Sequence, residues 1–136
     1  MKFEYYPGCT AKSMAIEYHE SVEETARYLG VELEEIPDLN CCGADLSITN
    51  SEMVRPLISK IIKSAIEEGA DVIITACHLC QSNLDILQSM DISPRKIPIF
   101  FFSELTALSL GSSEMRRWLG KHMVNPFRLL EKLKLL

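Results

Sequence analysis

The chain predicts an α/β fold: a Rossmann-like parallel sheet of about four strands with helices on both faces. Three observations carry that expectation. Four short apolar runs read as strands, helical patterns fill the intervals between them, and each interval is long enough for a parallel crossover. With 136 residues, 47% hydrophobic and 24% charged, the composition suits one globular domain spanning 1–136.

The first strand is Lys2–Tyr6. A helix follows on the apolar spacing of Met14, Tyr18, Val22, Ala26 and Leu29, and Gly30 ends it. The second strand, Val31–Ile36, alternates apolar and acidic residues and therefore belongs near an edge. Met53, Leu57, Ile58, Ile61, Ile62, Ala65 and Ile66 form the next apolar face, closed by Gly69. Pro56 is tolerated only in a first turn, which starts this helix between Ser51 and Arg55. The third and fourth strands, Asp71–Ala76 and Ile97–Phe102, are continuous apolar runs, as expected of strands covered on both faces. Between them a helix opens at Cys77–Cys80 and runs to about Met90, where Ser93-Pro94 stops it. Ser103–Leu110, Ser113–Leu119 and Phe127–Leu135 read as three short helices.

A net charge of −5 and no basic stripe argue against nucleic acid as partner. The N-terminus, Met1-Lys2-Phe3-Glu4-Tyr5-Tyr6, has no secretory pattern, and no stretch approaches the roughly 18 apolar residues of a membrane span. Free thiols then imply a reducing compartment, so a cytoplasmic protein is expected.

The five cysteines are Cys9, the adjacent Cys41 and Cys42, and the Cys77-His78-Leu79-Cys80 segment. An odd count argues against a disulfide framework. Soft thiolates suit iron–sulfur clusters and zinc, but five exceed the four ligands of either a structural zinc site or an ordinary cubane. Their positions matter most. Cys9 follows the first predicted strand, Cys41 and Cys42 the second, and Cys77 and Cys80 the third, so a parallel sheet sets all three segments at its carboxyl edge. A helix start at Cys77 would favour its thiolate. Gly8 and Gly43 allow the backbone close to a bulky cofactor.

Tyr6-Pro7-Gly8-Cys9-Thr10, Asn40-Cys41-Cys42-Gly43 and Ala76-Cys77-His78-Leu79-Cys80 together resemble the cysteine-rich "CCG" domain found in the B-type chain of heterodisulfide reductase and its relatives. Ile97-Pro98-Ile99, Ser103-Glu104-Leu105, Leu108-Ser109-Leu110-Gly111 and the segment Lys121–Pro126 extend the likeness over nearly the whole chain. The resemblance implies a single CCG domain holding a non-cubane [4Fe–4S] cluster on Cys9, Cys41, Cys42, Cys77 and Cys80. It also implies an iron–sulfur redox subunit that transfers electrons to a disulfide substrate, within an oxidoreductase complex like heterodisulfide reductase. Its expected companions are like the other chains of that enzyme: a ferredoxin-type protein of the C-type and a protein of the A-type. A second surface would come from a homodimer or from another CCG domain, and membrane contact only from partners. The family's B-type chain usually carries two copies of the domain, some copies bind zinc, and proline often stands where this chain has His78. A zinc-binding assembly module is therefore the alternative, and a metal-free Cys77–Cys80 redox pair is a third reading.

His78, between two of the cysteines, is the candidate proton donor to a departing thiolate, a catalytic role set against that of a solvent-facing helix residue. His19 falls off the apolar stripe and reads as a surface residue, and His122 as either a structural hydrogen bond or a substrate contact. Lys12, Arg95, Lys96 and Lys121 could neutralise a cofactor or a substrate carboxylate, though most basic residues are simply solvated. Glu32, Glu34, Glu35 and Asp38 read as a charged, protected strand edge. Trp118 and the leucine-rich tail serve either the core or a docking face.

Overall fold

The computed structural model describes residues 2–37, 40–47, 49–92 and 95–135. Its elements, in chain order, are β1 (Lys2–Tyr6), α1 (Ile16–Tyr28), β2 (Glu32–Glu35), α2 (Ala44–Ser47), α3 (Ser51–Glu67), β3 (Ile73–Thr75), α4 (His78–Leu87), β4 (Ile99–Phe101), α5 (Phe102–Ser109), α6 (Met115–Leu119) and α7 (Phe127–Lys132). The four strands form one sheet in the order β2-β1-β3-β4. Every pair is parallel, and the α/β class expected from the sequence is the one observed.

Alternation along the central strands divides the core in two. Tyr6, Ile73 and Ile99 face α3 and α4, packing on Val54, Ile58, Ile61, Ile62 and Leu84. Phe3, Tyr5, Ile74 and Phe100 face the other way, toward Val22, Leu105, Met115, Leu119 and Leu130. Helices thus cover both faces. The edge strand β2 exposes Glu32 and Glu34, and Glu34 pairs with Lys2. Asp38 of the acidic segment lies outside the described residues, as do Ser93, Pro94 and Leu136.

Several boundaries and faces differ from expectation. Met14 is 90% exposed and precedes α1, and Tyr18 is 49% exposed; the buried positions are His19, Val22 and Ala26. His19 is thus a core residue, stacked on Tyr5 at 5.7 Å between ring centroids and hydrogen-bonded to its hydroxyl at 3.3 Å. A polar tip satisfied by a neighbouring phenol let an imidazole occupy a position that the apolar pattern assigned to solvent. Asn50 caps α3 by accepting from the Met53 N–H at 3.3 Å, which fixes the start at Ser51 and leaves Pro56 inside the helix. The cap outweighs the proline there; Pro56 costs only the one hydrogen bond its missing N–H would have given the Glu52 carbonyl. The short α2 was not anticipated. Helix α4 ends at Leu87 and passes into a π-helical turn over Gln88–Ile92.

The buried polar side chains of α4 bind backbone rather than water. Gln81 donates to the Ile99 carbonyl at 3.0 Å, Gln88 donates to Ile97 O at 2.5 Å and accepts from Ile97 N at 2.9 Å. Asp85 accepts from the N–H groups of Met123 and Val124 at 2.7 and 3.0 Å. The C-terminal segment is tied to the same helix, and Trp118, Phe127, Leu129 and Leu135 pack on the second core. No helix among the described residues is long and apolar enough to cross a membrane.

Ile73 is fully buried on the central strand β3, so Ile73→Ala is expected to lower the unfolding free energy by about 2–5 kcal/mol. Met53 is 61% exposed, and Met53→Ala should change it by under about 0.5 kcal/mol. Urea denaturation of both variants beside the parent checks the contrast.

Candidate functional site

All three cysteine segments leave the carboxyl ends of parallel strands, and together they border one small cavity of about 70 Å³. The first leaves β1 through Pro7 and Gly8. Gly8 has φ +86°, and a Cβ there would lie 3.2 Å from Cys80 Sγ and 3.5 Å from Cys77 Cβ. A side chain would therefore be both strained and crowded. Cys9 comes next and is exposed, its carbonyl accepting from Ser13 Oγ at 2.8 Å.

The second segment is held by three side chains. The Tyr6 hydroxyl donates to Asn40 O at 2.8 Å, Asn40 Nδ2 donates to Cys41 O at 2.9 Å and Leu57 O at 3.2 Å, and Asn83 Nδ2 donates to Cys42 O at 2.7 Å. Burial first, then the nearby thiols, push the Tyr6 phenol up, so it remains a donor. Gly43, at φ +71°, would bring a Cβ within 3.0 Å of Leu57 and 3.1 Å of Val54. Cys41 is exposed and Cys42 buried, so the adjacent pair straddles the surface.

In the third segment Cys77 is the N-cap of α4 and is half-buried, while Cys80 lies buried in the first turn. The Cys77 N–H donates to Thr75 Oγ1 at 3.4 Å. His78 is exposed to solvent beside Cys77.

The sulfurs pair directly with one another. Cys42 and Cys80 are hydrogen-bonded at 3.3 Å between sulfurs, and Cys9 and Cys41 at 3.8 Å. The Cys77 thiol is pulled from its ordinary value of 9 down to about 5, foremost by the hydrogen bond from the Cys80 thiol, with backbone N–H groups of Cys80 and Leu79 adding to it against burial. Cys42 falls to about 7, chiefly through its hydrogen bond with Cys80. Cys80 is driven the other way by those bonds to Cys42 and Cys77 and keeps its proton. At Cys41 the Gly43 N–H favours the thiolate, yet burial and Cys9 outweigh it and the thiol is raised.

This arrangement corrects the cofactor expectation. Among the described residues no group of three or more His, Cys, Asp and Glu side chains is arranged to hold a metal ion. Cys9, Cys41, Cys42, Cys77 and Cys80 all border the one small cavity, yet no three of them take up metal-holding positions. A tetrahedral zinc site with bonds of about 2.3 Å spaces its sulfurs roughly 3.8 Å apart, wider than the Cys42–Cys80 contact. These donors support neither the non-cubane [4Fe–4S] cluster nor the zinc alternative. The reading of the chain as a metal-binding, iron–sulfur electron-transfer protein falls with them.

The remaining candidates are dispersed. Lys12 pairs with Glu35 at 2.5 Å near Cys9. Arg95 pairs with Asp71 at 2.7 Å, and Lys96 donates to the Gln88 carbonyl, both away from the thiols. His122 binds Glu104 at 2.9 Å beneath Phe100 and Phe101, so its structural bond is accounted for. Sequence reasoning passed over Asn83 and Thr75. A polar residue three positions beyond Cys80, on the buried side of an apolar helix, was the available signal for Asn83.

Among curated proteins, the "8-methylmenaquinol:fumarate reductase membrane anchor subunit" of Wolinella succinogenes is 30% identical over 95 residues, covering 67% of this chain. The chain spans about a third, 34%, of that relative's length. The family described as "Cysteine-rich domain" (CCG) matches residues 3–85. With its three cysteine segments gathered on one rim of a parallel sheet, the chain belongs to the CCG cysteine-rich domain family.

Proposed function

We propose that this domain is a thiol–disulfide redox module in which Cys77 is the attacking thiolate and Cys80 the resolving thiol. What supports the reading is the placement of the pair: Cys77 is the half-buried N-cap of α4 and Cys80 is buried in its first turn, where the Cys80 thiol and helix N–H groups pull the Cys77 thiol down to about 5. A low-pKa thiolate is the nucleophile of exchange, and a neighbouring thiol completes it.

The Cys77 thiolate attacks one sulfur of a disulfide, forming a mixed disulfide and expelling the other half as a thiolate. Cys80 then gives up its proton and attacks Cys77 Sγ. A Cys77–Cys80 disulfide forms, and the second half leaves as a thiol. Two electrons and the Cys80 proton pass from the thiol pair to the substrate, and the first leaving thiolate takes its proton from His78 or solvent. The exposed His78 is placed to protonate a leaving thiolate. Two electrons from a companion electron-donor protein, with one proton, would restore the Cys77 thiolate and the Cys80 thiol.

In this reading the chain is a relative of the B-type chain of heterodisulfide reductase and one member of a disulfide-reducing complex. The three cysteine segments support the first part. A relative that is itself part of a reductase supports the second. Companions like that enzyme's C-type and A-type chains, or a second CCG domain, would meet the thiol rim, and a membrane would be reached through partners.

Carboxamidomethylation of Cys77, followed by peptide mass spectrometry, should rise to half its plateau rate near pH 5 rather than near 9. Cys80→Ala should move that midpoint upward, because the principal hydrogen bond is lost. Linkage has a matching sign. A thiol depressed in the fold stabilises it fully above the unfolded value of 9, and that stability is lost as pH falls through 5. A parent midpoint near 9 defeats the assignment of Cys77.

Anaerobically reduced protein is expected to reduce hydroxyethyl disulfide stoichiometrically, and Cys77→Ser to slow the reaction at least about 100-fold. Cys80→Ser should instead accumulate a mixed disulfide on Cys77, visible by intact-mass analysis. Undiminished exchange in Cys77→Ser would sink the proposal.

A further inference from the structure

Helix α4 turns an uncharged face outward. From Leu79 to Met90 the exposed residues are Leu79, Ser82, Ile86 and Met90. Steps of three and four residues set them along one stripe. A solvated helix face normally carries charge, and a contiguous exposed apolar face marks a contact surface.

Beside the stripe runs a groove of about 450 Å³, bordered by Ser82 and Ile86 of α4, by Phe101 at the end of β4, and by Trp118, Lys121 and Met123 of the C-terminal segment. Leu79, Ile86, Met90 and Met123 are 46% to 60% exposed. Two carboxylates also line the groove, but both are buried and occupied. Asp85 accepts from the N–H groups of Met123 and Val124, and Glu104 accepts from Phe101 N–H and binds His122. Lys121 is therefore the exposed charge of this groove, and among the described residues its ammonium has no ion-pair partner. Around it the C-terminal segment exposes Arg116, Arg117, Arg128, Lys132 and Lys134 against Glu114 and Glu131, in a chain whose net charge is −5.

We propose that this face docks an acidic amphipathic helix of a partner protein, its apolar edge along the α4 stripe and its carboxylates over Lys121. Charge selects the occupant. A basic helix would set like charges together at Lys121. A second copy meeting the same face would bring another Lys121 and another uncharged stripe, and no exposed carboxylate from the groove. A bilayer is flat, whereas a groove walled on two sides receives a ridge, as grooves that hold amphipathic helices do. The eleven steps from Leu79 to Met90 cover about 16 Å at about 1.5 Å per residue, so the partner presents about three turns. Leu79 also borders the thiol cavity, which brings one end of the docked helix to the mouth of the thiols. No cysteine takes part in the contact, so the docking surface stands whether or not the thiols exchange.

The probes are two hydrocarbon-stapled helical peptides of about four turns, with leucine along one edge and either glutamate or lysine on the remaining faces. Each is titrated into the full chain carrying labelled Ile and Met methyls and a labelled Trp indole, and followed by NMR. The glutamate peptide is expected to shift Ile86, Met90, Met123 and Trp118 saturably. It should bind about tenfold tighter than the lysine peptide, equivalent to about 1.4 kcal/mol. Lys121→Glu should invert that preference, and Ile86→Asp should abolish binding. Tyr28→Asp, at a 90% exposed position of α1 on the other face of the sheet, should leave it intact. Amide spectra check that each variant is folded; should Ile86→Asp unfold, Lys121→Glu at its exposed position carries the same decision. Absence of saturable shifts, equal affinity for the two peptides, or an unchanged preference in folded Lys121→Glu overturns the proposal. So do shifts at these methyls with phosphatidylglycerol vesicles in place of the glutamate peptide, which assign the face to a membrane. Broadening of the same methyls with protein concentration alone assigns it to a second copy and overturns it equally.

Discussion

Where α4 begins decides what the thiol rim can do. The helix supplies the N-cap position of Cys77 and the first-turn position of Cys80, and both owe their properties to it: free N–H groups for one, burial for the other. Its placement is fixed by polar side chains that sit inside the protein and bind backbone. Gln81 and Gln88 hold the chain at and just before β4, Asp85 holds the segment before α7, and Asn83 holds the Cys42 carbonyl. An apolar helix face could slide by a fraction of a turn at little cost. A face that satisfies buried carbonyls cannot, because each lost bond leaves a desolvated group unpaired.

That rigidity explains how a few ångströms separate two chemistries available to the same five residues. Cysteines that ligate a metal must all be thiolates facing one point. Here Asn83 holds the Cys42 carbonyl to α4, and Cys42 and Cys80 touch sulfur to sulfur; the close sulfurs push the Cys77 thiol down and the Cys80 thiol up. The Cys9–Cys41 contact lies farther out, at the exposed mouth, where solvent weakens any such effect.

The sheet was legible in the sequence because its signals are local. Continuous apolar runs marked β3 and β4, whose residues enter the cores on both faces, alternation in Glu32–Glu35 marked the β2 edge, and parallel crossovers then placed the cysteine segments on one rim. The family was legible for the same reason: its motifs are short and lie directly after strands. What escaped was set by distant partners. The burial of His19 depends on Tyr5 from the neighbouring strand, and Pro56 lies past the first turn of α3 because the Asn50 cap sets the start at Ser51, the earliest of the expected positions. The mutual orientation of sulfurs from three segments depends on Tyr6, Asn40 and Asn83, whose hydrogen bonds span 17 to 41 residues. Ligand spacing in a sequence cannot register that geometry, which is how a motif suited to a cluster led to a cofactor expectation that this arrangement of donors does not support.

Two glycines connect the rim to its surroundings in different ways. Gly43 turns the chain so that its N–H points to Cys41 Sγ, and its missing side chain admits Val54 and Leu57 of α3. It therefore belongs to packing as much as to the site. Gly8 instead thins a wall. A side chain there would press on Cys80 Sγ at 3.2 Å and on Cys77 Cβ at 3.5 Å, at a wall shared by the thiol cavity and the neighbouring one that Lys12 and Glu35 line. A protein that needed only five thiols in a row could have used any small residue that relaxed the turn. Positive φ together with tight contacts and a place on the walls of both cavities leaves glycine as the residue that fits there.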